Sequence, residues 1–547
     1  MKLVNMIKGS RMKETVHATR IRVVLVLIVA AFVSTIPSAS GAKFLATLFH
    51  PMSQGSHNAF VGQITKGLVS RGHRVTVLAA DTHGFKGFQK DISSTRIVTF
   101  KTDGSASAMA DIANIKLSKS QDEDNWIETV RLLMAVGNVG KQNCADMFND
   151  DDVMNDLRKE NFDLLLVEMF LPCDALLAEY LKVPFIVMTS SFRFPVFDED
   201  LYNLEIPSSY VPLGLGAFTD EMTFVQRVQN FVGRHVIGKI IQHMIFRSYR
   251  DIQLKHDIAP SSSMRELIGR AELWLCHVDF ALEFPHPTAP NWVMLAGLTA
   301  SEGTKQLPED LEDFVQGSGE NGVIVFSLGS TEMNLLSEET IETFAQVFRE
   351  LPVRVIWKYD GPVPRNLGNN TRQMPWIPQA DLLAHPQTKL LVYHGGLAGV
   401  YEALRFHKPM VLLPLFADQP AVAARVAKKG MGVVLSKSNL TVEAIKSAIH
   451  QVLSDPSYKS NVEKYGSISK DTIASPLDTA MFWIEHIVKF GGSHLKSRAG
   501  EMNLISRNSI DVISFIFAMI LMAMYVQYLI IHSCYRCLCR NKKSKSD

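Results

Sequence analysis

Short apolar runs alternate with amphipathic stretches along most of the chain. Residues 43–49 form one such run, and a turn-rich loop covers 50–56. From His57 to Ser70, Phe60, Ile64 and Leu68 recur four apart, the spacing of one helix face. Gly72 stops that pattern, and 74–79 is a second apolar run. Strand, loop, helix, strand in that order is a βαβ unit and predicts a parallel sheet. The rhythm returns as a strand at 162–167, a helix at 174–181 and a strand at 184–189. The region from 200 to 265 is mostly helical by pattern and suits the cover of a cleft.

A second series begins near residue 320. It predicts a strand at 323–328, a helix at 337–350 opened by Ser337 and Glu339, and a strand at 354–358. A strand at 389–393, a helix at 396–405 and a strand at 409–415 follow. The chain therefore reads as α/β, with two Rossmann-like halves at 43–285 and 286–455 joined through the Pro-rich stretch 284–290. Residues 456–508 are expected as helices that pack back and lead onward.

Two apolar segments bracket this body. Arg20 and Arg22 precede the apolar run 23–33, and Ser40-x-Ala42 offers a small-residue cleavage site. Residues 1–42 thus read as a signal peptide, with Met12 as a second candidate start and an uncleaved anchor as the alternative. Residues 512–531 are nearly all apolar and uncharged, about 20 residues, enough to cross a bilayer. A transmembrane helix is expected at 512–532. The tail 533–547 carries Arg536, Arg540, Lys542, Lys543 and Lys545, which by the positive-inside tendency puts it in the cytosol. The body is then lumenal and the protein single-pass, type I. The sequons at Asn369 and Asn439 fit that side. Lys543 and Lys545 resemble an endoplasmic-reticulum retrieval signal, or are a plain basic flank.

The net charge of +1 implies no broad basic face, which argues against a nucleic-acid partner. Of six cysteines, Cys534, Cys537 and Cys539 fall in or beside the tail. They are idle thiols or palmitoylation sites. Cys144, Cys173 and Cys276 remain, an odd number that implies no disulfide framework.

Ligands of open α/β sheets bind beyond the carboxyl ends of the strands, and the unusual residues sit there. His394-Gly395-Gly396 joins a strand to a helix, where glycines let phosphate approach a helix N-terminus. Ser327, Gly329 and Ser330 form a second donor-rich strand end. Glu402 can accept from a ribose diol, or is a solvated face residue. Asp418-Gln419 offers acceptors and a donor to sugar hydroxyls. Trp376 is a base-stacking platform or a core residue, with Gln379 beside it. His57 opens the first helix, where the dipole disfavours imidazolium and should keep the ring a neutral base. The bland alternative for His57 is a capping neighbour.

The block from Trp376 to Gln419 resembles the signature of the UDP-glycosyltransferases. It contains WIPQADLLAHP, YHGGLAGVYEAL and KPMVLLPLFADQ at matching spacings. SHNAFVGQITKGLVSRGHRVTVLAA, FDLLLVEMFLPC, VIVFSLGS and SPLDTAMFWIEHIV fall in the family's order around it, covering nearly the whole mature chain. The form with a leader, a lumenal body and one C-terminal anchor resembles the animal UDP-glucuronosyltransferases of the endoplasmic-reticulum membrane. The resemblance implies a GT-B fold of two facing Rossmann-like domains and an inverting transfer. It implies no catalytic metal and no cofactor, the UDP-sugar being a co-substrate. Trp376 and Gln379 would hold uracil and ribose, Glu402 the ribose hydroxyls, and His394, Gly396 and Ser330 the diphosphate. Asp418 and Gln419 would hold the sugar, and His57 would be the base.

The family usually has aspartate where this chain has Glu168; Asp174 is the fallback partner for His57. Ala398 stands where the family often has Asn or His, and His277 where it often has an arginine near the diphosphate. Lys305 and Arg365 are candidate substitutes for that charge. The expected partners are a UDP-sugar, a small lipophilic acceptor bound mainly by 43–280, and membrane lipid. A homo- or hetero-oligomer is compatible with all of this. Glucuronate is the expected sugar. Glucose, or a catalytically weak homologue acting as a binding or modulating subunit, is the alternative.

Overall fold

The computed structural model describes residues 41–50, 55–82, 95–102, 126–168, 172–189, 204–214, 216–300, 305–329 and 336–543. The signal-peptide reading lies almost wholly outside them. Two all-parallel sheets organise the body. The first has seven strands: β1 (Lys43–Leu48), β2 (Arg74–Ala80), β3 (Arg96–Phe100), β4 (Leu164–Glu168), β5 (Phe185–Thr189), β6 (Leu273–Cys276) and β7 (Trp292–Met294). Their order is β3-β2-β1-β4-β5-β6-β7. The second has six: β8 (Val323–Ser327), β9 (Arg354–Lys358), β10 (Thr371–Met374), β11 (Thr388–Tyr393), β12 (Met410–Leu412) and β13 (Gly432–Val434). Their order is β10-β9-β8-β11-β12-β13. Strands such as β4 and β8 are buried at every position, as helices on both faces require, and this is why they read as unbroken apolar runs.

The strand order reverses direction between β1 and β4 in one sheet and between β8 and β11 in the other. These are the switch points where open sheets leave a crevice. His57 and Glu168 flank the first; Ser327 and His394 flank the second.

Three expectations are corrected. The Pro-rich stretch 284–290 does not leave the first half. It leads into the edge strand β7, whose neighbours Asn291 and Leu295 exchange backbone hydrogen bonds with Trp274 and Cys276 at 2.8 and 2.7 Å. Prolines lack the N–H a sheet needs, so they suit that approach loop, and the boundary moves from 285/286 to beyond Met294. Second, helices Trp126–Asn149 and Asp151–Glu160 fill a stretch that had no expected element. Third, the odd cysteine count hid a disulfide. Cys144 on helix Trp126–Asn149 bonds Cys173 on helix Pro172–Leu181, while Cys276 is buried at the end of β6. The bridge closes a loop with a sequence separation of 29, worth about 3–4 kcal/mol by chain entropy. Cys144→Ser is expected to lower the thermal midpoint by several degrees under non-reducing conditions and to change nothing under full reduction, read by a thermal melt of the membrane-embedded protein.

The halves are pinned together. Tyr401 Oη accepts from the Asp279 backbone N–H at 2.7 Å and donates to Asp279 Oδ1 at 3.1 Å. Ser469 Oγ donates to the other Asp279 oxygen. Arg425 meets Glu283 at 3.0 Å with both side chains nearly buried. Helix Pro476–Phe490 returns to the first half and packs on helix Ser56–Ser70. Gly67 makes that approach close: a Cβ there would lie 2.8 Å from the Met481 sulfur. Arg71 bonds Asp478 and Glu485 at the rim of the same contact. The last helix, Ile510–Lys543, is outside the body, and its apolar part Ile510–Arg536 is long enough to cross a membrane.

Candidate active site

Adjacent strand ends build the first wall. Glu168 closes β4, and its backbone N–H donates to Thr47 Oγ1 of β1 at 3.3 Å. Thr47 Oγ1 in turn donates to Asp174 Oδ1 at 2.8 Å. Asp174 is thus placed on Thr47, while Glu168 takes the histidine. His57 Nδ1 lies 2.5 Å from Glu168 Oε1, although the two are 111 residues apart in sequence. The Glu168 side chain is fully buried and the imidazole is 13% exposed, which leaves one edge of the ring open to a substrate.

The expectation that the helix dipole sets the titration of the ring is corrected: burial and the neighbouring carboxylates set it. Burial acts most strongly and pushes His57 down. The charge and hydrogen bond of Glu168, joined by the charge of Asp418, outweigh it and leave His57 raised above 6.5. A neighbouring carboxylate beats a partial dipole charge. His50, just past β1, goes the other way. Burial drives it to about 4, with Glu168 pulling it up and His57 pressing it down further. His50 therefore stays neutral beside the pair. Sequence reasoning passed over it as a loop residue.

The second wall comes from the strand ends of the other sheet. Gly395 sits at φ 90, which only glycine adopts easily, and Gly396 caps helix Leu397–Arg405. A Cβ on Gly396 would fall 2.4 Å from His394 Nε2, so glycine there is what gives the ring its room. His394 is buried, its ring 4.1 Å from that of Tyr393. Ser327 is buried at the end of β8 and Gly329 follows at φ 85; Ser330 lies outside the described residues.

Trp376 is 70% exposed, so the core alternative is set aside. Gln379 and Glu402 meet, with Gln379 Nε2 donating to Glu402 Oε2 at 2.7 Å. Burial lifts Glu402 to about 7, against the Gln379 hydrogen bond and with help from the charge of Asp381. A ligand diol donating to this carboxylate would favour its ionised form. Binding of a UDP-sugar is therefore expected to tighten as pH rises through about 7, with proton release. Calorimetry in two buffers of different ionisation enthalpy checks it, and Glu402→Gln should abolish the release.

Asp418 precedes helix Gln419–Lys428, and Gln419 Oε1 accepts from the Leu415 and Phe416 backbone at 2.8 and 3.3 Å. That fixes the Gln419 amide with its NH₂ left as donor. Burial raises Asp418, against its own backbone N–H and the charges of His57 and Arg425. His57 and Asp418 come from opposite halves and feel each other's charge, so both walls face one cleft.

The other candidates sort clearly. His277 is fully buried, 5.4 Å from the Phe60 ring and 5.3 Å from that of Tyr401. It is an inter-half packing residue. Arg365 is held at 3.0 Å by Glu338, both side chains being exposed, and Lys305 is exposed beside Asp381. Ala398 is half-buried in the first turn after Gly396. Lys358, which sequence reasoning missed as an ordinary strand end, does reach the donor wall. Its Nζ donates to the Gly329 carbonyl and lies 4.8 Å from the Trp376 ring centroid.

The family profile described as "UDP-glucoronosyl and UDP-glucosyl transferase" matches residues 46–545. The chain belongs to the UDP-glycosyltransferase family. It is 33% identical to UDP-glucuronosyltransferase 2B33 of Macaca mulatta over 506 residues, covering 90% of this chain and 94% of that one. It is 34% identical to UDP-glucuronosyltransferase 2B10 of Homo sapiens over 496 residues, covering 88% and 92%. Rabbit (Oryctolagus cuniculus) UDP-glucuronosyltransferase 2B14 is 37% identical over 463 residues, covering 82% and 85%. Among solved structures, the glycotransferase of kitacinnamycin superposes with TM-score 0.56 at 17% identity, covering 83% of this chain and all (100%) of that one. Glycosyltransferase VinC in complex with dTDP gives 0.55 at 17%, covering 82% and 99%. The fold of this UDP-glycosyltransferase is GT-B, two facing Rossmann-like sheets followed by one apolar C-terminal helix.

Proposed function

We propose that this UDP-glycosyltransferase moves glucuronic acid from UDP-glucuronate to the hydroxyl of a small lipophilic acceptor, with inversion at the anomeric carbon. The observation that carries the reading is the His57–Glu168 pair facing Asp418 and the donor wall across the cleft. In the mechanism, His57 Nε2 takes the acceptor proton as the acceptor oxygen attacks C1. The C1–O bond to UDP breaks on the opposite face, and its electron pair leaves on the diphosphate. Glu168 offsets the charge that develops on the ring. Trp376 stacks on uracil, while Gln379 and Glu402 hold the ribose. His394, Gly396, Ser327, Gly329 and Ser330 receive the diphosphate, and Asp418 and Gln419 hold the sugar. Glucuronate as the donor is supported by the glucuronosyltransferase relatives.

The body is lumenal and anchored in the endoplasmic-reticulum membrane. Exposed Asn369 and Asn439 support that side, as does the spanning helix with its basic tail. The test uses full-length protein in microsomes with labelled UDP-glucuronate, UDP-glucose and other UDP-sugars against phenolic and steroid acceptors. Glucuronide formation is expected to dominate. Transfer from UDP-glucose alone would reassign the donor, and transfer from none would remove the reading.

A further inference from the structure

The helix that returns to the first half ends in a histidine pair. Helix Pro476–Phe490 stops at Gly491, whose φ of 68 reverses the backbone, and the short 3₁₀ turn Ser493–Leu495 follows. The reversal brings His494 back against the end of the helix. His494 Nε2 lies 3.2 Å from His486 Nε2, with the ring planes 62° apart. Among the described residues each ring has the other as its hydrogen-bond partner.

Both rings are held in place. His486 packs against the rings of Phe482, Trp483 and Phe490, with centroids 5.8, 5.4 and 5.0 Å away. The turn that carries His494 is anchored on Glu272 of the first half. Gly492 N–H donates to Glu272 Oε2 at 2.6 Å, and Lys496 Nζ donates to Glu272 Oε1 at 2.7 Å and to the Arg270 carbonyl at 2.9 Å. The two nitrogens are thus set from both sides, and His494 is exposed, where an ion can reach it.

Distance and atom type say what the pair fits. A tetrahedral zinc ion holds imidazole nitrogens at about 2.0–2.1 Å, which sets two of them about 3.3 Å apart. A square-planar ion with bonds of that length would bring neighbouring nitrogens to about 2.8 Å. The observed 3.2 Å matches the tetrahedral case. A hydrogen bond between the two rings occupies the same distance, and on a surface open to water it adds little stability. Zinc would replace it with two stronger bonds. No third His, Cys, Asp or Glu joins the pair among the described residues, so water fills the remaining positions.

We infer that His486 and His494 form a zinc site, apart from the sugar-transfer cleft, that staples the end of helix Pro476–Phe490 to the turn anchored on Glu272. With two protein ligands it binds more weakly than a closed four-ligand structural site. The same helix packs on helix Ser56–Ser70, so the staple secures the return of the chain onto the half that carries His57. The inference rests on this geometry and not on which sugar is transferred.

The test is zinc binding to the full-length protein in nanodiscs, first stripped of metal with a chelator, read by equilibrium dialysis and by a thermal melt. His494→Ala removes one ligand at an exposed position, and His486→Gln removes the other. His450→Ala, at an exposed histidine on helix Val442–Ser454 of the second half, is the reference. A cooperative melt without zinc verifies that each variant folds. The parent and His450→Ala are expected to bind one more zinc ion per chain than either ligand variant. Their thermal midpoint should rise by a few degrees on adding zinc, and the rise should vanish in His494→Ala and His486→Gln. Equal zinc binding by the parent and His494→Ala, no binding by the parent at millimolar zinc, or an equal loss in His450→Ala would overturn the inference.

Discussion

Replacing His57 by alanine is expected to lower kcat about 100- to 10,000-fold with little change in UDP-sugar affinity. The donor wall is built from the second sheet and its loops, so removing a ring from the first half leaves it in place. The loss should therefore appear in kcat, measured at saturating donor, while calorimetric binding of the UDP-sugar stays within a few-fold of the parent. The ring is in the first turn of helix Ser56–Ser70, where alanine is well tolerated, so the variant should fold. Equal activity of parent and variant would remove His57 from the chemistry.

Replacing Glu168 by glutamine is expected to cost up to about 10,000-fold, nearly as much as losing the base, because the two act as one unit. The carboxylate accepts the Nδ1 proton and leaves Nε2 free to accept. A glutamine whose NH₂ faces Nδ1 would favour the opposite tautomer, with the proton on Nε2 and no base toward the acceptor. The variant also removes the main cause that raises His57, leaving burial to lower it. Glu168→Asp is expected to fall between the two. Aspartate is the family's usual residue, but here the 2.5 Å contact is set for the longer side chain, and one methylene less withdraws the oxygen from Nδ1. The double variant His57→Ala/Glu168→Gln should be hardly worse than His57→Ala alone, which separates a shared role from two independent ones.

Much of the fold was legible because parallel strands buried on both faces must be apolar. Strands β1, β2, β5, β8, β9 and β11 came out of the pattern within one or two residues. What the pattern could not carry was pairing at a distance. Nothing local in Cys144 or Cys173 marks them as partners, since an odd count allows any pair or none. Nor does periodicity say that β7 belongs to the first sheet, because three residues are too few to show a period. The donor block was readable because its residues fall within one stretch of 44 positions from Trp376 to Gln419, and local order there is also spatial order. Trp376 itself could not be read as core or platform, because an aromatic ring suits either, and its 70% exposure decides it.

His50 and Lys358 escaped for the same reason. One lies in a turn-rich loop and the other at a strand end, both places where such residues are ordinary. Their environment marks them: His50 is buried against His57 and Glu168, and Lys358 is set between Gly329 and Trp376. The sign of the His57 shift was misjudged because a helix N-terminus is visible in sequence, whereas the two opposing carboxylates come from remote segments.

The central claim is that His57, paired with Glu168 and facing the donor half, is the base for sugar transfer. The most direct test is the pH dependence of kcat/KM for the acceptor at saturating UDP-sugar, between about pH 5 and pH 9, for the parent and for Glu168→Gln. Saturating donor keeps the titration of Glu402 out of the profile. The base must be unprotonated, so the parent rate should rise with pH through a midpoint above 6.5, and the residual rate of Glu168→Gln should rise through a lower one. A parent profile flat across that range, or a midpoint that Glu168→Gln leaves unmoved, would contradict the account.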